Sequence, residues 1–295
     1  MFSWNSPDGI CAHDAVEPPP PQTASVSFEG GLVTKPALSA NRFEPGIFAP
    51  APHPAPRAAM LFAQTRLDLV LLLRNGEQLL LTMFIPITLL VGLALLPFGD
   101  MGPDKIDKIV PAVMMVAVMS TAFTGQAIAV GFDRRYGALK RLGATPLPRW
   151  GIVAGKSGAV LLVVILQAVL LGSIGFALGW RPGLAGLALG AVLIALGTAT
   201  FAAMGLLLGG TLKAEIVLAL ANILWFVMLG IASVVFASEE LPEIVHTLVR
   251  LVPSGALAVA LEHALSGSVD WLGVVVLLIW GTVAGLLAAR WFRFE

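Results

Sequence analysis

The chain has 295 residues, of which 57% are hydrophobic and only 12% charged; its formal net charge is zero and its mean hydropathy is +0.88. A soluble domain carries about 25% charged residues, so this composition cannot cover a water-facing surface, and the balanced charge argues against a nucleic-acid partner. Lipid is the solvent that fits. Apolar runs of about 20 residues cross it as helices that satisfy their own backbone groups, so an all-α integral membrane protein is expected.

Residues 1–56 stand apart. They contain the run Pro18-Pro19-Pro20-Pro21 and the alternating APAPHPAP at 49–56. Such a segment has too little apolar surface to offset its conformational entropy and is expected to be a disordered, Pro-rich tail. It has no basic stretch leading into an apolar core, so no cleaved secretory leader is expected. The single cysteine, Cys11, lies in this tail and has no partner for an internal disulfide.

The remainder, 57–295, reads as one membrane-spanning domain. Between 57 and 78, Leu61, Leu67, Val70 and Leu71 recur among Gln64, Arg66, Asp68, Arg74 and Glu77. That pattern predicts an amphipathic interfacial helix whose basic residues reach lipid phosphates. Asn75-Gly76 offers a bend after it. Six apolar segments follow at about 79–98, 109–132, 152–178, 184–209, 216–236 and 271–291, none with a charged residue at its centre. Trp150, Trp180, Trp271 and Trp291 fall near span ends, where amphipathic rings favour the interface, while Trp225 and Trp280 lie deeper and are expected to pack. The fourth span carries Gly186 and Gly190 as G-x-x-x-G, then Gly197, Ala202, Gly205 and Gly209, a surface for close helix packing within or between subunits. Before the last span, 237–270 is long and semi-apolar. Pro242 and Pro253 break it into two helices too short to cross, expected to be re-entrant from the outer leaflet.

Lys and Arg divide fourteen to four between the two sides of this six-span arrangement. Basic residues accumulate on cytoplasmic loops, so both termini are expected in the cytoplasm.

Two sequence leads fail on inspection. Gly155-Lys156-Ser157 resembles the end of a phosphate-binding loop, but the required first glycine position is Trp150 and the segment opens an apolar span. Lys156 is read as an interfacial anchor. Ser254, His246 and His263 could suggest an intramembrane serine enzyme, yet they share one segment and Val252 occupies the first glycine of a G-x-S-G. The four histidines, His13, His53, His246 and His263, all lie outside the spans. No catalytic, cofactor-binding or metal-ligating residue is therefore expected on this chain.

Polar residues inside the spans are few. Gln126, Gln167 and Asn222 stand either as lining of a substrate route or as interhelical packing, and packing is favoured because amides join helices in lipid. An ion-coupled secondary transporter would need a buried ionisable relay. None stands at a span centre, which disfavours that class.

The connection from the second to the third span is the most informative stretch, with its core at 133–149. Asp133 can cap a short helix, in which Tyr136, Leu139 and Leu142 share one face at three-residue spacing. Arg134, Arg135, Lys140 and Arg141 flank that face, and Gly143, Pro146 and Pro148 end the element. The plain alternative is a topogenic positive loop. A capped helix with apolar and basic sides is better suited to docking on another protein.

This stretch resembles the cytoplasmic coupling segment of type-2 ATP-binding-cassette (ABC) exporter permeases, in the match Asp133-Arg134-Arg135, Gly137-Ala138-Leu139-Lys140-Arg141-Leu142 and Thr145-Pro146-Leu147. Leu71 to Thr82, followed by Ile85-Pro86, is similar to the elbow helix and first span of actinobacterial members, and the broken segment before the last span resembles the family's extracellular gate helices. The resemblance implies a dimer of permeases, either two copies or this chain with a sister permease, working with a cytosolic ABC ATPase that binds ATP and Mg. It implies Asp133 to Leu142, Gly137 included, as the ATPase-coupling contact. It also implies export of a hydrophobic or amphipathic substrate such as a drug, an antibiotic or a lipid.

Overall fold

The computed structural model describes residues 55–96, 105–145, 148–237 and 243–292. Residues 1–54 of the expected tail, the Pro146-Leu147 turn and the expected break at Pro242 lie outside them. The described regular elements are all helical.

Helix α1 (Arg57–Arg74) ends at Asn75, and α2 (Gly76–Leu95) starts immediately after, so the bend falls where Asn75-Gly76 was expected to place it. The polarity of α1 is the reverse of a soluble surface helix. Gln64 and Asp68 are buried, whereas Phe62, Leu67, Val70 and Leu71 are exposed. Its polar stripe packs on α6 (Arg149–Ala177), where Gly155 and Gly158 leave room for Gln64 and Thr65. Arg57, Arg66 and Arg74 remain exposed.

The second expected span is one run from Lys105 to Arg135 made of three pieces: α3 (Lys105–Val118), a π-helical turn (Met119–Gly125) and α4 (Gln126–Arg135). The π turn was not foreseen. Such a turn adds a residue to the helical repeat and rotates everything after it, which sets the face that α4 presents. Beyond the short α5 (Ala138–Gly143) come α6, α7 (Leu184–Thr211), α8 (Ala214–Ala237), α9 (Glu243–Leu251), α10 (Pro253–Leu265) and α11 (Trp271–Trp291).

Among the described residues, five runs are long and apolar enough to cross a membrane: Lys105–Arg135, Trp150–Ala177, Leu184–Thr211, Ala214–Val234 and Trp271–Trp291. They match the second to sixth expected spans. The first expected span falls on α2, whose apolar stretch is the shorter Thr82–Leu95. At 1.5 Å per residue that stretch reaches roughly 21 Å, against a hydrocarbon layer of about 30 Å. A sixth run exists if α9 and α10 form one span bent by 102°.

Helix α7 is the centre of the bundle because its glycines admit other backbones. A Cβ on Gly205 would come 2.8 Å from the carbonyl oxygen of Phe123, and one on Gly209 would lie 2.4 Å from that of Ala127. On the other half of α7, Gly186 faces the Leu265 carbonyl and Gly197 faces the Leu257 side chain. These members of the small-residue stripe are therefore used within the chain. The wall opposite is α10, whose Ser254 to Leu261 are all buried. Ser254 donates to the Met228 carbonyl at 2.9 Å, while Arg250 pairs with Asp270, the residue whose carboxylate caps α11 at Gly273.

Trp150, Trp271 and Trp291 are exposed near helix ends, as expected. Two tryptophans stand where expected along the chain but differ in exposure. Trp180 is 1% exposed, fitted beside Gly175 and Val110, because the helix-ending turn at Gly179 folds its ring back onto α6. Trp280 is exposed on α11 and donates to the Leu251 carbonyl at 3.0 Å.

Candidate functional site

The C-terminal end of α4, the start of α6, the C-terminal end of α7 and the start of α8 meet at one end of the bundle. The residues that join them come mostly from the 133–156 stretch. Helix α4 does not begin at Asp133; it runs through it and stops at Tyr136. Gly137 then adopts φ 70°, a left-handed conformation that favours glycine, and α5 starts at Ala138. The expected single helix is thus two helices with a glycine corner. Asp133 is not a cap, because helix precedes it.

Each basic residue has its own direction. Arg134 turns inward and donates from Nη1 to the carbonyls of Gly209 at 3.0 Å and Leu212 at 2.9 Å. Those carbonyls close α7, where orphan acceptors and the negative end of the helix dipole favour a cation. Arg135 is exposed and pairs with Glu215 in the first turn of α8. Lys140 and Arg141 are exposed on α5.

The apolar residues correct the expected docking face. Tyr136 is 68% exposed and stacks on Phe132. Leu139 is 0% exposed, packed with Val130, Ile152, Leu206 and Ala288, and Leu142 lies partly buried against the same group. Leu139 therefore anchors α5 to the membrane domain instead of offering it to a partner. The reason is the Gly137 corner, which swings the α5 face carrying Leu139 back onto α6 and α7. The outer side of α5 is polar and basic.

Beside this anchor lies a charge cluster that spans three elements. The ammonium of Lys156 on α6 is 2.6 Å from Asp133 on α4 and 3.5 Å from Asp68 on α1. Gln64 donates to the other oxygen of Asp68 at 2.8 Å. Lys156 is more than the interfacial anchor expected from sequence: it ties α1, α4 and α6 together. The signal was present in the chain, as a lone lysine entering an apolar span and an aspartate four residues after Gln64 on the polar stripe of α1. Only the fold brings them together.

Beside the cluster, α1, α2, the π turn, α4 and α6 line an open cleft of about 430 Å³. Gln126 lines it and is 3% exposed, with no hydrogen-bond partner for either amide atom among the described residues. The other two amides differ from it. Gln167 accepts from Thr121 at 3.0 Å and donates to the Thr82 carbonyl at 2.9 Å, joining the π turn, α6 and α2. Asn222 is exposed on α8 and donates only to its own helix, at Leu218. Gln167 is thus interhelical packing, and among the described residues Asn222 bonds only to its own helix. His263 bonds to the Val259 carbonyl of its own helix, so neither Ser254 nor His263 is directed at the other.

Long apolar helices around a glycine-lined centre, with a basic cluster gathered at one end, define a multi-pass membrane protein. The chain belongs to the ABC-2 family of transporter proteins, whose family model matches residues 99–290, more than half of its length. It is thus the membrane component of an ABC transporter, a family that implies partnership with a cytosolic ATPase. The matched residues run from before α3 into the last turn of α11 and leave out α1 and α2. No curated protein matches the chain.

Proposed function

We propose that this chain is the membrane-spanning permease of an ABC exporter, carrying a hydrophobic or amphipathic substrate with energy from ATP hydrolysed by a separate subunit. The observation that supports this most is the anchoring of α5. A short helix with an exposed basic side is fixed by buried Leu139 to α6, α7 and α11, and through the Asp133–Lys156 pair to α6 and α1. A push on such a helix moves several long helices together, because packed interiors transmit strain.

In this reading the ATPase subunits, holding ATP and Mg, close against the outer side of α5. Tyr136, Lys140 and Arg141 are the contact residues, whereas Asp133, Arg134 and Leu139 hold the contact in place. The basic end faces the cytoplasm, with both termini inside a bacterial plasma membrane. α1 lies along the inner interface with Phe62, Leu67 and Leu71 towards lipid. The α9–α10 pair is re-entrant from the outside and α2 is the first span. The exposed apolar faces of α8 and α11 serve lipid and a second permease, either another copy or a sister chain. Antibiotic or drug-like cargo is the proposed substrate class.

The test is co-purification. The tagged full-length chain, extracted in mild detergent, is expected to bring an ABC ATPase subunit with it and to show vanadate-sensitive ATP hydrolysis. Transport in inverted vesicles should require ATP and survive collapse of the proton gradient. Transport that stops with the gradient while ATP persists would favour an ion-coupled transporter built on the Lys156 cluster.

A further inference from the structure

We infer that the cavity between α1, α2, α4 and α6 is a ligand site within a single chain, shaped for a small amphipathic cation that carries a carboxamide. Gln126 supplies the first argument. Its carbonyl and amino groups are both buried and both without a partner, and they lie at the cavity wall. A buried amide left unpaired is penalised in full. Gln167, on the neighbouring helix and equally buried, satisfies both ends of the same side chain. The fold can thus pair a buried glutamine, and at Gln126 it leaves a donor and an acceptor at the wall of an open cleft. A carboxamide complements both.

Charge supplies the second argument. Gln126 and Asp133 lie seven residues apart on α4, on the same face and about 10 Å from each other at 1.5 Å per residue. Asp68, Asp133 and Lys156 line the cavity, giving two carboxylates to one ammonium. The arginines that follow Asp133 are directed elsewhere, Arg134 to the end of α7 and Arg135 to Glu215. The charged end therefore has an excess negative charge in a segment that is otherwise basic, and it favours a cation. Leu72, Val160 and Val163 line the space as well. The volume, about 430 Å³, falls among ligand pockets, which run from about 300 to 1,000 Å³.

The experiment measures equilibrium binding of a tritiated octanamide bearing a terminal diethylamino group to the full-length permease in nanodiscs, without any ATPase. Octanedioic acid monoamide, of similar length but anionic, is the control. The expected result is saturable binding at one site per chain, with weaker binding of the anion. Gln126→Leu and Asp68→Asn should each weaken binding about tenfold, the scale of one lost hydrogen bond or charge contact. Gln126→Leu should leave the unliganded melting temperature unchanged or raised, since it removes an unpaired amide. The inference is overturned if binding is not saturable, if the anion binds equally, if Gln126→Leu binds normally, or if it melts several degrees lower. Because the readout omits ATP, failure here leaves the coupling reading intact.

Discussion

Lys156 and Asp133 face each other at 2.6 Å across the junction of α6 with α4, and Asp68 of α1 completes the group from the third side. The lysine side chain is 15% exposed, Asp68 8% and Asp133 35%. Removing one partner of such a group leaves charge without compensation in a partly dry site. Lys156→Met is expected to destabilise the permease by about 2–4 kcal/mol, read as a lower melting temperature in detergent. Asp133→Asn added to Lys156→Met should recover part of the loss. An additive double mutant would show that the two residues do not interact.

The paired arginines should behave differently from each other. Arg134→Ala removes a charged donor from two carbonyls at the end of α7 and is expected to cost about 1.5–3 kcal/mol. Arg135→Ala breaks an exposed pair, with side chains 50% and 62% exposed, and should cost less than about 1 kcal/mol. Thermal melts of the two single variants check the order. Equal losses would contradict the capping role of Arg134.

Gly209→Val tests the central position of α7. Its Cβ would fall 2.4 Å from the Ala127 carbonyl oxygen, a backbone atom that cannot move aside cheaply. Overpacking costs about 1–3 kcal/mol or more, and the yield of monodisperse protein should fall sharply. Gly92→Val, whose Cβ would meet nothing within 4 Å, is the matched control and should purify normally.

Much of this was legible in the residues. Long apolar runs located the helices, Asn75-Gly76 marked the first bend, and the glycines of 186–209 marked the helix that others approach. What the chain concealed depends on direction. Leu139 and Tyr136 have similar local patterns, and only the corner at Gly137 decides that one is buried and the other exposed. The π turn before Gln126 has no strong sequence signal, yet it sets the face on which Gln126 and Asp133 meet the cavity. Likewise the Lys156 group joins residues 68, 133 and 156, which no local periodicity connects.

The proposed topology makes a prediction independent of energetics. With Cys11 replaced by serine, single cysteines at Ala144 and Ser268, both exposed, should react with membrane-impermeant maleimide from opposite sides. Ser268 should label in intact cells and Ala144 only after permeabilisation. Labelling of both under the same condition would reject both termini inside with six spans.

Leu139→Asp is expected to impair folding, because it buries a carboxylate among Val130, Ile152 and Leu206, so it cannot report on coupling alone. The outer side of α5 can. The most direct measurement is ATP-dependent transport and ATPase co-purification for the double variant Lys140→Glu with Arg141→Glu. Both side chains are exposed, so folding should change by no more than about 0.5 kcal/mol. Coupling to an ATPase predicts loss of the co-purifying subunit and of ATP-driven transport, with the melting temperature of the permease preserved. Unchanged co-purification and unchanged transport in a properly folded double variant would contradict the account and leave 133–149 as an ordinary positive loop.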